Sequence, residues 1–236
     1  MQPASVADQP DEKLKKSTNN FMINDLSKSS SILNNYMAEL RDTVIQKDSM
    51  RFRNNLERIG SMIGYEISKK FDYVTRDVTT PLGIAHVPTL KDQPVIASIL
   101  RAGLPLHHGM SAVFDQAENA FISAYRQHHK DGSFEVHVDY LACPLLEGKE
   151  LILCDPMLAT GTSMVLTYQA MLRRGKPKHI HVASVVASVY GVDYLRKHMP
   201  VNTTIWTCAI DDELTAQSYI VPGLGDAGDL AFGIKI

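Results

Sequence analysis

The chain has no apolar run near the roughly 18 residues needed to span a bilayer. Its opening stretch, Met1 to Asn20, has neither the apolar core of a secretory signal nor the arginine-rich, acid-poor character of a transit peptide. Cysteine is scarce. Cys143, Cys154 and Cys208 are odd in number and widely spaced, which fits neither a disulfide framework nor a zinc site. An excess of charge of one sign is also missing: the formal net charge is -2. That argues against a broad surface for nucleic acid or anionic membrane, although it leaves room for a local cationic pocket. No internal repeat or low-complexity linker interrupts the chain. Together these absences lead us to expect a cytoplasmic protein with no nucleic acid and no membrane among its partners.

What is present is a chain of 236 residues, 44% of them hydrophobic, enough to bury a core and to exclude global disorder. Pro3, Pro10, Lys13, Lys15 and Lys16 mark residues 1–20 as a polar tail, and 21–236 is expected to form one domain. Leu33, Met37, Leu40 and Val44 recur at helical steps, as do Phe52, Leu56, Ile59 and Ile63. These two N-terminal helices are suited to packing against another subunit. Beyond them, buried strands are expected at Pro94 to Leu100, Glu150 to Cys154, His179 to Ser188 and Thr203 to Ile210. Helices are expected from Leu104 and over Ser163 to Leu172. Ala120 to Tyr125 and Phe134 to Tyr140 read as a β-hairpin arm with a polar tip at His128 to Ser133, able to close over a substrate. Strands alternating with helices predict an α/β fold, a parallel sheet flanked by helices, with ligands bound beyond the carboxyl ends of the strands.

Three segments just after buried runs carry the chemistry. The first ends a strand in Asp155, continues through Pro156, Met157, Leu158 and Ala159, and opens a helix with Thr160-Gly161-Thr162-Ser163. A helix N-terminus offers unpaired N–H groups and partial positive charge to a phosphate. An aspartate repels phosphate and suits ribose hydroxyls instead. A plain strand–turn–helix with a Ser or Thr cap has the same spacing. The second segment places Arg101 after a strand and before Ala102 and Gly103, where its guanidinium can fork onto a pyrophosphate. The third, Tyr219 to Asp229, sets three glycines and a proline around two acids. Such a loop can read the edge of a flat heterocycle through backbone groups.

The string Asp155-Pro-Met-Leu-Ala-Thr-Gly161 resembles the phosphoribosyl-pyrophosphate signature of type I phosphoribosyltransferases, in its uracil-specific form. Ile99-Leu-Arg-Ala-Gly103 is similar to the pyrophosphate loop of the uracil phosphoribosyltransferases. Ala124-Tyr125-Arg126 resembles their Tyr-Arg at a strand end, and YIVPGLGDAGD from Tyr219 is close to their uracil-binding string. The resemblance spans roughly residues 31–236. It implies a type I phosphoribosyltransferase-like fold that transfers the phosphoribosyl group of 5-phosphoribosyl-1-pyrophosphate to N1 of uracil, giving UMP and pyrophosphate.

By the same resemblance, Arg101, Ala102, Gly103, Arg126, Asp155 and Asp226 would contact phosphoribosyl pyrophosphate, together with Pro156 to Ser163. Tyr219, Ile220, Gly225, Asp226 and Ala227 would contact uracil. Arg101, Arg126, Asp155 and Asp226 would form the catalytic set. Mg²⁺ would arrive on phosphoribosyl pyrophosphate, without direct protein ligands, and the chain would form a homodimer or larger homo-oligomer. The chain departs from the family pattern at Pro105, Leu106, His107, His108, Thr162, Leu230 and Ile234. His107 and His108 are expected at the surface or behind the site. A catalytically weakened paralogue is the alternative these departures allow, and a UMP- or phosphoribosyl-pyrophosphate-sensing regulator on the same fold is a second.

Overall fold

The computed structural model describes residues 21–235 except 129–133, and leaves the side chains of 124–138 undescribed. The proposed tail and the tip of the hairpin arm therefore lie outside the described residues. Strand β1 (Met22–Asp25) leads into helices α1 (Ile32–Arg41) and α2 (Ser49–Ser68), and a ribbon of β2 (Tyr73–Thr80) and β3 (Gly83–Leu90) follows. The chain continues through β4 (Val95–Leu100), α3 (Gly103–Val113), β5 (Glu118–His128), β6 (Phe134–Ala142), β7 (Glu150–Cys154), β8 (Met157–Leu158) and α4 (Thr162–Met171). Next come β9 (His179–Ala183), β10 (Val186–Ser188), α5 (Val189–His198) and β11 (Thr203–Thr207). Four short elements close the chain: β12 (Ile210–Asp211), β13 (Glu213–Leu214), β14 (Ile220–Val221) and α6 (Ala227–Phe232).

The main sheet has the order β1-β11-β9-β7-β4-β5-β6, with parallel neighbours except for β6, which runs antiparallel to β5. Helices cover both faces. On β7, Ile152 and Cys154 join the core under α1, α2 and α3, while Leu151 and Leu153 join the core under α4 and α5. This alternation is the period of two that a strand imposes on its side chains. The expected α/β fold with a parallel sheet flanked by helices is the fold observed.

Two expectations need correction, and two are made more specific. The α1 face holds Leu33, Met37 and Leu40 as expected, but Val44 is 75% exposed. The helix stops at Arg41 because the next residue, Asp42, turns its carboxylate onto the N–H groups of Val44 and Ile45 at 2.8 and 2.9 Å. The run His179 to Ser188 is two strands in two sheets: β9 belongs to the main sheet, and β10 lies between β8 and β12 in a small second sheet. The expected hairpin arm is rooted in the main sheet, since Glu118 to Ser123 pairs along β4. The ribbon whose strands pair only with each other is instead β2–β3, a segment the sequence reading did not pick out. Finally, His107 is buried at 5% exposure against the Phe121 ring, whereas His108 is exposed as expected. Burial pushes the His107 imidazole below its usual range.

Candidate active site

Three strand ends meet at one cavity of about 700 Å³. From the β4 end it is lined by Arg101 and Ala102; from the segment after β7 by Asp155, Met157, Leu158, Ala159, Thr160, Gly161 and Ser163; and from the C-terminal loop by Tyr219, Gly225, Asp226 and Ala227. Segments far apart in sequence thus converge where an open α/β sheet is expected to bind ligands.

In the loop after β7, Gly161 has φ +77°, and the turn it permits aims the N-terminus of α4 at the cavity. The N-cap residue, Gly161, has no side chain with which to cap that end of the helix. Thr160 Oγ1 receives the Thr162 N–H at 3.4 Å and lies 3.2 Å from Thr162 Oγ1. The positive φ falls on Gly161, so Thr162 fits the first turn of α4 without backbone strain. The loop is braced from behind by Ser188, the buried cap of α5. Its hydroxyl donates to the Ala159 carbonyl at 2.6 Å and accepts from the Gly191 N–H at 2.8 Å. Cys154, the last residue of β7, is buried; burial and the adjacent Asp155 charge push its thiol well above the usual range, so it serves as core. Asp155 is half-buried, and its Oδ1 accepts the Met157 N–H at 3.2 Å.

Arg101 is held across the cavity mouth. Its Nη2 donates to Asp229 Oδ1 at 3.0 Å and its Nη1 to the Gly233 carbonyl at 3.2 Å. Asp226 caps α6, its Oδ1 accepting the N–H groups of Gly228 and Asp229 at 2.9 and 3.0 Å. Its Oδ2 lies 3.8 Å from Lys235 Nζ. At Gly225, φ +88° keeps the backbone of the loop presented to the cavity.

Among the expected residues, Gly103, Pro156, Thr162 and Ile220 are not on the cavity wall. Gly103 is a packing position, where a Cβ would come within 2.5 Å of the Cys154 carbonyl oxygen. The Pro156 carbonyl accepts from the N–H groups of Val185 and Val186, at 3.0 Å each, and Ile220 is core. Arg126 lies on β5, but its side chain is outside the described residues. Wall residues outside the expected contact set are Ile99, Leu100, Ser123, Met164, Gln217, Ser218, Gly228 and Lys235. Ser218 has φ +64°, uncommon for a residue with a side chain and enriched where function holds the backbone. No sequence string marks it. Among the described residues no group of three or more His, Cys, Asp or Glu could hold a metal ion.

A family model described as uracil phosphoribosyltransferase matches residues 27–234. A uracil phosphoribosyltransferase of Porphyromonas gingivalis is 55% identical over 206 residues, covering 87% of this chain and 95% of the relative. One from Metallosphaera sedula is 38% identical, covering 84% and 94%. Among solved structures, the AQ2163 protein from Aquifex aeolicus superimposes with a TM-score of 0.80 at 27% identity, covering 91% of this chain and all of that one.

Proposed function

The chain belongs to the uracil phosphoribosyltransferase family, and from that premise we propose how its cavity performs the transfer of a phosphoribosyl group to uracil. The enzyme takes 5-phosphoribosyl-1-pyrophosphate and uracil and releases UMP and pyrophosphate, a reaction of pyrimidine salvage. The observation that carries the site assignment is the convergence of the three loops on one cavity.

In this reading Ala159 to Ser163 and the N-terminus of α4 receive the 5-phosphate, and Asp155 accepts from the ribose hydroxyls. Arg101 binds the pyrophosphate. It exchanges its Asp229 and Gly233 partners for the more highly charged anion, and Arg126 is assigned the same role from the sequence string. The loop Tyr219 to Ala227 reads the uracil edge with backbone groups. N1 then forms a bond to the anomeric carbon as the bond from that carbon to pyrophosphate breaks. The N1 proton is lost, and configuration inverts. Positive charge develops on the ribose and negative charge on the leaving group, so positioning and fixed charge supply the catalysis. Asp226, braced by its cap bonds, orients the pyrimidine directly or through water.

Asp155 and Asp226 both line the cavity, where their carboxylates would face the waters of a Mg²⁺ carried in on phosphoribosyl pyrophosphate rather than ligate it directly, in keeping with the waters that ion retains. Bound with the substrate, the ion would neutralise charge on the departing pyrophosphate. Two further parts of the reading are a cytoplasmic setting and assembly with further copies of this chain. Three unpaired thiols at Cys143, Cys154 and Cys208 favour the first. The exposed β2–β3 ribbon favours the second, because a two-stranded hairpin is marginal in water unless it packs on something. No described helix is long and apolar enough to cross a membrane.

The test is pyrophosphate release from purified protein with Mg²⁺ and phosphoribosyl pyrophosphate, offering uracil, cytosine, hypoxanthine and orotate in turn. Turnover with uracil alone supports the assignment of the third loop as base selector. Turnover with another base would overturn it.

A further inference from the structure

The loop assigned to the base is held from outside the cavity, by a segment that none of the site strings includes. Arg41 is the last residue of α1. Its Nη1 and Nη2 donate to Asp211 Oδ2 and Oδ1 at 2.9 Å each, a fork on a carboxylate, and Nη1 also donates to the Gly223 carbonyl at 3.1 Å. Asp211, on β12 and 8% exposed, accepts the N–H of the same Gly223 at 2.9 Å. Both backbone groups of Gly223 are therefore fixed, one by the carboxylate and one by the guanidinium. Gly225 and Asp226 follow immediately on the cavity wall.

Neighbours on the same N-terminal segment extend the grip. Gln46 Nε2 donates to the Arg41 carbonyl at 3.2 Å, and its Oε1 lies 3.6 Å from where a Cβ on Gly225 would be. Further along, Arg53 Nη1 donates to the Ala231 carbonyl, and its guanidinium lies 5.9 Å from the centre of the Phe232 ring. The loop and α6 are thus held at both ends by residues of α1, α2 and the turn between them.

A loop that reads a base with its backbone cannot correct a misplacement by rotating a side chain. Its discrimination depends on where its peptides are fixed, and small displacements are costly in such sites. A forked Arg–carboxylate pair supplies direction as well as attraction, and a lysine cannot reproduce the fork. We propose that Arg41, acting through Asp211 and Gly223, is a positioning residue that sets the affinity of the base loop for the pyrimidine without touching either substrate. The inference rests on the uracil reading of that loop.

The experiment uses the full chain and the variants Arg41→Gln, Arg41→Lys and Asp211→Asn. Three quantities are read: KM for uracil, kcat, and the dissociation constant of phosphoribosyl pyrophosphate with Mg²⁺ by calorimetry. Arg41→Gln is expected to raise KM for uracil at least tenfold while the dissociation constant stays within twofold of wild type. Arg41→Lys and Asp211→Asn, which each keep part of the network, are expected to give smaller rises in the same direction. Should Arg41→Gln fail to fold, those two decide by the same criterion. A KM for uracil within twofold of wild type in every folded variant overturns the proposal. So does a parallel rise in both constants, because that is general loosening. Wild-type protein that turns over another base and not uracil overturns the reading of the loop, and the inference falls with it.

Discussion

Gly161 is the residue on which the loop assigned to the 5-phosphate turns. Its φ of +77° costs a residue with a side chain about 1–2 kcal/mol, and a Cβ there would sit 2.6 Å from Leu195 Cδ1 and 3.1 Å from Tyr194 Cδ1. Gly161→Ala is therefore expected to lower unfolding free energy by about 2 kcal/mol in a denaturant titration. It should also weaken phosphoribosyl-pyrophosphate binding about tenfold by calorimetry, an estimate for a displaced phosphate cradle. An unchanged affinity would remove the loop from phosphate binding. Arg101 is expected to behave differently. Arg101→Lys keeps the charge and loses the fork, and kcat/KM should fall by about 10²-fold, the scale of losing one stabilising donor at a developing anion. Equal rates for the two enzymes would leave Arg101 only its bonds to Asp229 and Gly233. Arg101, Asp155 and Thr160 were legible in the sequence because each sits in a short string directly after a strand. Arg41, Asp211 and Ser188 were not. Arg41 meets Asp211 across 170 positions, and Ser188 meets Ala159 across 29.

At the scale of elements, α2 and α3 approach closely through their glycines. A Cβ on Gly109 would lie 1.9 Å from the Glu57 carbonyl oxygen, and one on Gly60 2.3 Å from that of Leu106. Ser61 Oγ uses the same approach to donate to the Gly109 carbonyl at 3.0 Å. Since α3 begins at Gly103, directly behind Arg101 and Ala102, this packing also fixes the loop assigned to the pyrophosphate. Gly109→Val should cost about 3 kcal/mol of stability, at the upper end of overpacking because backbone must move, read as a lower urea midpoint. A midpoint equal to wild type would show that the two helices separate freely. The apolar face of α2 was readable from Phe52, Leu56, Ile59 and Ile63, all buried. The split between β9 and β10 was not, because a single Ser184 within an apolar run does not mark a strand end. What ends β9 is the chain changing sheets, with the Ser184 N–H going to the Trp206 carbonyl and that of Val185 to Pro156.

For the whole molecule, pH and assembly give separate tests. Burial pushes both His107 and His179 below the usual imidazole range, with His181 adding to the effect at His179. The folded protein therefore keeps these rings neutral, while the unfolded chain protonates them near its ordinary value of about 6.5. Below that pH the unfolded state binds more protons, so stability present above it declines as pH falls. The urea midpoint should drop between pH 7.5 and 5.5, and His107→Leu should flatten the drop. An identical slope in the variant would remove His107 as a cause. Glu39 acts in a lower window. Hydrogen bonds from Arg51 and Asn55 hold its carboxyl at about 2, so its contribution persists above the ordinary carboxylate value and is lost only as pH falls from there towards 2.

The proposed assembly is expected to use the β2–β3 ribbon, whose register places Val74, Val78, Ala85 and Val87 on one face, with Arg76 opposite Val87 among them. The other face carries the Asp77–His86 pair at 2.5 Å. Val78 and Val87 are 41% and 39% exposed in the single chain, so an apolar stripe faces water on an element with little other support. Docking that stripe on a second copy would remove it from water. Val78→Asp with Val87→Asp is expected to shift sedimentation equilibrium from dimer to monomer. The intrinsic stability of one chain should change by only about 0.5 kcal/mol, as for other exposed positions. A wild-type protein that is monomeric at micromolar concentration, or a double variant that stays dimeric, would detach assembly from the ribbon.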